Sequence, residues 1–171
     1  MVENDMKAES IAVYPGSFDP VTRGHLEIIE RARGLFDVLH VALVTNPAKE
    51  SLFTSEERLD LLNSETAGLG GNGKLKFCAF EGLTVQLAGE LGARWIIRGL
   101  RSAADLAYEL PMALSNRNCA DGEIDTVFLP AGSQTSFISS SLVREIAAAG
   151  GRLDGFVTGR VEDALRKKFS S

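Results

Sequence analysis

The sequence predicts an α/β fold in which a single doubly wound, parallel, five-stranded sheet carries helices on both faces. Short apolar runs alternate with longer segments of helical periodicity along the chain, and this order is typical of βαβ units. The run Val38–Thr45 is almost continuously apolar, as expected of a strand that is covered on both sides. Glycines follow several helical segments, at positions where helices commonly end.

The first two strands are each followed by a segment with a clear helical signal. The run 11–14 predicts the first strand, and the amphipathic stretch 26–36 predicts the helix after it. The side chains that this helix is expected to turn inward are Leu26, Ile28, Ile29, Leu35 and Phe36. After the second strand, Thr54-Ser-Glu-Glu57 has the form of a capping box and predicts a helix that ends near Thr66.

The same alternation continues to residue 169. Trp95 is expected to pack in the core next to the fourth strand, and Pro111 is expected to kink a long helix. The remaining expected elements are, in order, strand 74–80, helix 83–91, strand 94–97, helix 103–119, strand 124–129, helix 139–149 and helix 161–169.

Composition limits the classes of function. The 171 residues fit one domain at 11–171, preceded by a polar, flexible extension at 1–10. A formal net charge of −5 disfavours nucleic acid as a partner. No apolar stretch approaches the roughly 18 residues of a membrane span, and the polar beginning of the chain is unlike a signal peptide. Cys78 and Cys119 lack metal-site spacing and are expected to be reduced thiols, so we expect a cytoplasmic protein.

The loop between the first strand and its helix predicts a phosphate site. Gly16 and Gly24 let the backbone approach a ligand, and Ser17 offers a hydroxyl. His25 stands at the start of the helix, where free N–H groups and a partial positive charge favour an anion. The alternative is a plain connection in which His25 is a cap or a surface residue.

Three further loops are expected at the same edge of the sheet, because ligands of such folds bind beyond the carboxyl ends of the strands. Lys49 is the only cation of its loop, and Arg98 and Arg101 are suited to bidentate grip on phosphates. The alternative for the arginines is a rim of salt bridges with Asp105 or Glu109. The segment 136–141 carries four serines, which are expected either to cap a helix or to bind a second anion.

Five segments of the chain, in order and covering about 11–169, carry a resemblance to a known family. They are Tyr14-Pro-Gly-Ser-Phe-Asp-Pro-Val-Thr-Arg-Gly-His25, Phe53-Thr-x-Glu-Glu-Arg58, Ile97-Arg-Gly-Leu-Arg101, Asp105-x-x-Tyr-Glu109 and Ser136-Phe-Ile-Ser-Ser-Ser-x-Val143. Together they resemble the phosphopantetheine adenylyltransferases, bacterial enzymes of coenzyme A synthesis in the nucleotidyltransferase superfamily with a (T/H)xGH motif.

The resemblance implies a Rossmann-like nucleotidyltransferase fold and transfer of AMP from ATP to 4′-phosphopantetheine, giving dephospho-CoA and pyrophosphate. It also implies Mg²⁺ that arrives with ATP, a homohexamer, and CoA as a feedback inhibitor. Because a phosphate monoester is mostly dianionic near pH 7, with a second pKa near ~6, we expect direct in-line attack without a covalent intermediate. The sequence suggests no metal site made of protein ligands alone.

Carried over by position, the resemblance assigns catalytic roles to His25, Lys49 and Arg98. It implies that the acceptor 4′-phosphopantetheine is held by Ser17, Lys49, Thr84 and Arg98. The residues that it implies for the ATP site are Ser17, Phe18, His25, Gly99, Leu100, Arg101, Glu109, Thr135, Ser136, Phe137, Ile138, Ser139, Ser140 and Ser141.

Other functions stay open at this point. A related enzyme of the superfamily would use nicotinate mononucleotide or a polyol phosphate, but such relatives often carry His where this chain has Thr22. A non-catalytic nucleotide or CoA sensor is expected to lack His25 or Lys49, and both are present. A purely structural module would leave the four loops unexplained.

Overall fold

The structure is a computed structural model that describes residues 8–45 and 50–170. The described part of the chain alternates strands and helices as the sequence predicts. The elements are β1 (Ile11–Gly16), α1 (Arg23–Arg33), β2 (Val38–Thr45), α2 (Ser55–Thr66), β3 (Lys74–Glu81), α3 (Thr84–Glu90), β4 (Trp95–Leu100), α4 (Ala103–Cys119), β5 (Asp125–Pro130), α5 (Ser140–Ala148) and α6 (Gly159–Phe169).

The five strands form one parallel sheet in the order β3-β2-β1-β4-β5, which confirms the predicted fold class. The chain first moves outward from β1 to β3 and then returns to the other side of β1. The β1 and β4 strands are therefore neighbours whose following loops run in opposite directions, and such a switch point opens a crevice at the carboxyl edge.

Two hydrophobic layers cover the sheet, because successive side chains of a strand point to opposite faces. On one face α1, α2, α5 and α6 pack together, with Ile29, Leu62 and Leu165 fully buried. On the other face α3 packs Ala88 against the group that contains Ile96 of β4. This double cover explains why β2 is apolar along most of its length.

Four local expectations change in the structure. Helix α1 begins three residues before the predicted start because the Thr22 side chain caps it. Leu35 follows the end of that helix and is 60% exposed, so its expected place in the core is wrong. Strand β4 continues to Leu100, so Arg98 lies inside the strand rather than beyond it. Trp95 is only partly buried and packs beside Phe36.

Helix α4 has the predicted bounds and accommodates Pro111 in its interior. Glu109 is the one buried residue among the seventeen of this helix, all of which are described. The exposed apolar side chains of α4 are Leu106, Tyr108, Leu110, Met112 and Leu114. Within the described ranges, no helix combines the length and apolarity needed to cross a membrane.

Ser10, the last residue of the predicted extension, is attached to the start of β2. Its backbone N–H and hydroxyl donate to Asp37 Oδ2 at 2.8 and 2.7 Å. The N–H of Val38 donates to the Ser10 carbonyl at 3.1 Å. These bonds tie the chain before β1 to the strand that pairs with it.

Candidate active site

A cavity of about 660 Å³ opens at the switch point between β1 and β4. Its walls come from the β1–α1 loop, the residues that precede α2, the end of β4 with the first turns of α4, and the β5–α5 loop. The structure thus brings together the loops that the sequence analysis placed at one edge. The predicted site residues that line the cavity are Ser17, His25, Arg98, Gly99, Arg101, Glu109, Thr135, Ile138, Ser139, Ser140 and Ser141.

Several residues that were predicted to bind a substrate lie outside the cavity wall. Those among the described residues are Phe18, Thr84, Leu100, Ser136 and Phe137. Phe18 is fully buried beneath the β1–α1 loop, and Thr84 is the first residue of α3. Phe137 is exposed and packs edge-on against Phe156. Lys49 lies outside the described residues.

Phe18 shapes the β1–α1 loop. Its φ of +46° is in the left-handed region, which is uncommon for a residue with a side chain. Its ring packs edge-on against Tyr14 and His25, with centroid distances of 5.5 and 5.0 Å. A Cβ at position 16 would lie 2.8 Å from the Phe18 ring, so this close packing requires Gly16. The loop backbone therefore passes directly over an aromatic ring that also supports His25.

The start of α1 holds His25 in a capping box. Thr22 is the N-cap, and its hydroxyl accepts the His25 backbone N–H at 3.4 Å. In return, His25 Nδ1 accepts the Thr22 backbone N–H at 3.1 Å. Burial, together with the positive charge of Arg101, lowers the pKa of His25 to about 4. The ring is consequently neutral at pH 7.

Two arginines of the cavity are paired with acids of α4. Arg98 Nε donates to Glu109 Oε2 at 2.7 Å, its Nη2 donates to Glu109 Oε1, and its Nη1 donates to the Pro15 carbonyl at 3.3 Å. Arg101 donates to both oxygens of Asp105 at 2.9 and 3.1 Å. These hydrogen bonds hold the pKa of Asp105 below its usual value. Both guanidinium groups still line the cavity, so the salt-bridge and anion-site interpretations are compatible.

Glu27 of α1 holds the β5–α5 loop against the cavity. Its Oε1 accepts the Gly132 N–H at 2.9 Å, and its Oε2 accepts the Thr135 hydroxyl. A Cβ at position 132 would lie 2.8 Å from Glu27 Oε1, so the close approach depends on glycine. The position of this loop is thereby fixed by the same helix that carries His25.

The consecutive serines at the start of α5 have different partners. Ser139 is the N-cap, and its hydroxyl accepts the Leu142 N–H at 3.2 Å. The Ser140 hydroxyl donates to the Pro20 carbonyl at 2.8 Å. Ser141 is exposed and lines the cavity. One serine therefore caps the helix, and a second ties α5 to the β1–α1 loop.

Three charged residues of the site were missed by the sequence analysis. Asp19 is buried, and its two carboxylate oxygens accept the Leu52 and Phe53 N–H groups, each at 2.9 Å. Arg144 of α5 donates to Asp19, and buried Arg58 of α2 donates to the Ser17 carbonyl at 3.0 Å. The one indication in the sequence is that each of these charged residues stands next to an apolar residue. This position does not identify the residue with which it pairs.

Among the described residues, four arginines and four acids line the cavity, so their formal charges balance. The arginines are Arg58, Arg98, Arg101 and Arg144, and the acids are Asp19, Glu50, Asp105 and Glu109. The arginines still supply guanidinium donors that can orient an anionic ligand, although the chain as a whole carries a net charge of −5. Among the residues that the structure describes, no group of three or more His, Cys, Asp and Glu side chains is arranged to hold a metal.

Comparison with known proteins identifies relatives of this chain. The cytidylyltransferase-like family matches residues 13–146. A phosphopantetheine adenylyltransferase of Gloeobacter violaceus is 50% identical over 94% of this chain and 97% of its own length. The phosphopantetheine adenylyltransferase of Carboxydothermus hydrogenoformans is 52% identical over 93% of this chain and 96% of its own.

Solved structures with much lower identity share the fold. The nicotinic acid mononucleotide adenylyltransferase of Plasmodium falciparum, complexed with NaAD, has a TM-score of 0.68 at 16% identity and covers 93% of this chain and 95% of its own. A bifunctional NMN adenylyltransferase/ADP ribose pyrophosphatase of Francisella tularensis, complexed with AMP and a manganese ion, has a TM-score of 0.68 at 14% identity. It covers 95% of this chain and 50% of its own. Because the phosphopantetheine adenylyltransferases above are about half identical to the chain over nearly its full length, the chain belongs to the phosphopantetheine adenylyltransferase family of cytidylyltransferase-like nucleotidyltransferases.

Proposed function

We propose that the protein transfers AMP from ATP to 4′-phosphopantetheine and releases dephospho-CoA and pyrophosphate. The observation that carries this proposal is the placement of His25 and four arginines around one cavity at the sheet's switch point. Among the phosphorylated acceptors that such a cavity could hold, the family relationship indicates 4′-phosphopantetheine. The reaction balances without a further reactant: an oxygen of the acceptor phosphate bonds to the α-phosphorus, and the bond from that phosphorus to pyrophosphate breaks.

The reaction requires that the two substrates are positioned and that negative charge is stabilised, and it does not require a strong base. The acceptor phosphate is mostly dianionic near pH 7, so it attacks directly in line and no covalent enzyme intermediate is needed. Two mutually repelling anions must be brought together, and negative charge must be stabilised as pyrophosphate leaves. Fixed donors around a partly closed cavity meet both requirements without rearranging during the reaction.

Each group of residues takes one part of this task. His25 donates to the ATP phosphates and stabilises the transition state. Lys49 and Arg98 hold the acceptor phosphate, with Ser17 beside it and Thr84 contributing through its backbone. The ATP site is completed by Phe18 beneath the loop and by the cavity-lining residues Gly99, Arg101, Glu109, Thr135, Ile138, Ser139, Ser140 and Ser141. The resemblance also implies Leu100, Ser136 and Phe137, which lie outside the cavity wall.

Mg²⁺ fits this site as a companion of ATP. Three of the four acids that line the cavity, Asp19, Asp105 and Glu109, already accept hydrogen bonds from N–H or guanidinium groups, and Glu50 is the fourth. The ligands of the ion would therefore come mainly from phosphate oxygens and water, in keeping with the preferences of Mg²⁺. When bound, the ion neutralises negative charge on the triphosphate.

The proposal extends to assembly, regulation and location. The row of exposed leucines on α4 supports a homo-oligomer, and from the family resemblance we expect a hexamer. CoA, which contains the adenylyl and phosphopantetheine moieties of the product dephospho-CoA, would occupy the same cavity as a feedback inhibitor. Cys78 and Cys119 are free thiols, which suits the cytoplasm.

Pyrophosphate release with Mg-ATP tests the proposed reaction. The full chain is assayed with 4′-phosphopantetheine and, separately, with nicotinate mononucleotide, and the product is identified by mass. Release with 4′-phosphopantetheine alone, with dephospho-CoA as product, is the expected result. Release with the mononucleotide alone would overturn the acceptor, and binding of ATP or CoA without turnover would indicate a sensor.

A further inference from the structure

We propose that the capping box of α1 selects the tautomer of His25, so that Nε2 carries the ring proton toward the triphosphate and Thr22 is a positioning residue. This inference deepens the proposed function and rests on it for the identity of the ligand. The tautomer itself is a property of the free protein and can be measured without substrate.

The direction of one hydrogen bond fixes the tautomer of His25. A backbone N–H can only donate, and the Thr22 N–H lies 3.1 Å from His25 Nδ1. Nδ1 must therefore present a lone pair. In a neutral imidazole the proton is then on Nε2, because the two ring nitrogens share one proton.

The Thr22 hydroxyl strengthens the same choice. Its oxygen lies 3.1 Å from Nδ1 and also accepts the His25 backbone N–H at 3.4 Å. Because the oxygen already accepts that N–H, its own proton is free to point at Nδ1 as a second donor. A proton on Nδ1 could donate to this hydroxyl oxygen, but it would oppose the Thr22 backbone N–H, which can only donate. The backbone N–H therefore decides the tautomer, and the hydroxyl supports it when it donates.

The surroundings of the ring keep it in this orientation. The buried Phe18 ring packs edge-on against the imidazole, with a centroid distance of 5.0 Å. The positive charge that opposes protonation of His25 is that of Arg101, on the neighbouring β4–α4 segment. His25 lines the cavity. Its Nδ1 faces the cap, so Nε2 is the ring nitrogen that is available to a ligand.

A neutral His25 with its proton fixed on Nε2 would act in the reaction as a hydrogen-bond donor and not as an acid. His25 would share its Nε2 proton with a phosphate oxygen in a hydrogen bond and would keep that proton throughout the reaction. The departing pyrophosphate would leave as an anion stabilised by donors, without receiving a proton from this ring. The cap, which is formed within the folded protein, prepares the donor before ATP arrives.

Nitrogen-15 NMR of the free, full-length protein tests the tautomer directly. The chain has two histidines, so His25→Gln assigns the ring signals by removing one set. At pH 7 we expect Nδ1 of His25 at the shift of a non-protonated nitrogen and Nε2 at that of a protonated one. A proton on Nδ1, or rapid averaging of both tautomers as in free imidazole, would overturn the proposal.

Paired variants test the role of Thr22. Thr22→Val removes the hydroxyl at nearly constant volume, and we expect kcat to fall roughly 5- to 10-fold, the rate equivalent of one hydrogen bond, with a smaller change in KM for ATP. Because the backbone N–H of residue 22 remains in this variant, the ring shifts should move only part of the way toward the averaged values. Thr22→Ser restores the hydroxyl and should restore both kcat and the shifts.

Thr54→Val is the matched control, because Thr54 caps α2 in the same kind of box but pairs with Glu57. It loses a comparable cap and should leave the His25 shifts unchanged. If Thr22→Val left kcat and the ring shifts unchanged, Thr22 would have no positioning role. If the expected tautomer were found in a protein that released no pyrophosphate with either acceptor, the proposed reaction would fail and the tautomer would stand.

Discussion

Asp19 accepts a hydrogen bond from Arg144 at 3.2 Å, although 125 residues separate the two. The pair joins the β1–α1 loop to α5, and the same carboxylate also accepts two backbone N–H groups just before α2. A single buried acid therefore fixes three segments of the cavity wall relative to one another. This arrangement makes Asp19 a residue whose loss should disturb both the fold and the site.

Asp19→Asn tests that role. Three donors face the two carboxylate oxygens, and an amide would oppose one of them with a donor of its own. We expect the free energy of unfolding to fall by about 3 kcal/mol, as when one partner of a buried ion pair is lost. Urea unfolding measures the change. Asp60→Asn, on the exposed side of α2, is the control, and an equal loss in both variants would contradict the prediction.

His25→Ala should lower kcat by at least ~10²-fold, the usual effect of removing one preorganised donor from a transition state. The fold should persist, because the side chain lies at the cavity wall rather than in the main core. Steady-state pyrophosphate release gives kcat, and circular dichroism checks the fold. A turnover close to that of the unchanged protein would reject the assigned role.

Removal of Arg98 should weaken 4′-phosphopantetheine more than ATP. Arg98→Ala alone leaves Glu109 buried without its partner, so the variant of choice is Arg98→Ala with Glu109→Gln. We expect the acceptor Kd to rise about 10-fold or more, since a charged hydrogen bond is lost. Calorimetric titration of each ligand measures both affinities. Glu109→Gln alone is the control, and equal losses for the two ligands would contradict the assignment.

Stability should depend on pH through His25. Its pKa is about 4 in the folded protein and about 6.5 when unfolded, so acid protonates the unfolded chain first. The contribution of neutral His25 is complete above pH 6.5 and is lost between pH 6.5 and 4, by up to about 3 kcal/mol. Urea unfolding from pH 7 to 4.5 should therefore show a shallower decline in His25→Gln. His40 is present in both proteins, and parallel curves would contradict the prediction.

The exposed leucines of α4 predict an assembly that a charge should disrupt. Leu106, Leu110 and Leu114 recur every four residues and therefore share one helix face. Leu110→Asp should give a smaller species in sedimentation velocity, because an interface core does not accommodate an unpaired charge. Leu35→Asp, at another exposed leucine, is the control. An unchanged sedimentation coefficient for Leu110→Asp would rule out this face as the contact.

Much of this fold could be predicted because its signals are local. The apolar run of β2, the capping box of α2 and the bounds of α4 all follow from neighbouring residues. The start of α1 is predicted three residues too late, because 26–36 has a strong apolar pattern and the polar first turn contributes none of it. Thr22, which caps the helix, is the local signal for the earlier start.

The contacts of the site depend on the tertiary fold and could not be predicted in the same way. Arg98 and Arg101 both had two acids within reach along the chain, and the structure assigns Glu109 to one and Asp105 to the other. Arg98 lies inside β4, whereas Arg101 follows that strand and lies four residues before Asp105 in the first turn of α4, so the two arginines meet different acids. The position of Arg144 beside an apolar residue did not identify its partner, which lies near the other end of the chain.

The capping box of α1 also sets a limit on how this protein can change in length. Its two hydrogen bonds require a separation of three residues between Thr22 and His25, because that is the distance from N-cap to N3 in any α-helix. Insertion or deletion of a single residue there would at once leave the helix uncapped and turn the imidazole away from the cavity. Helix geometry thus imposes the spacing within the Thr-Arg-Gly-His segment, whatever nucleotide the cavity receives.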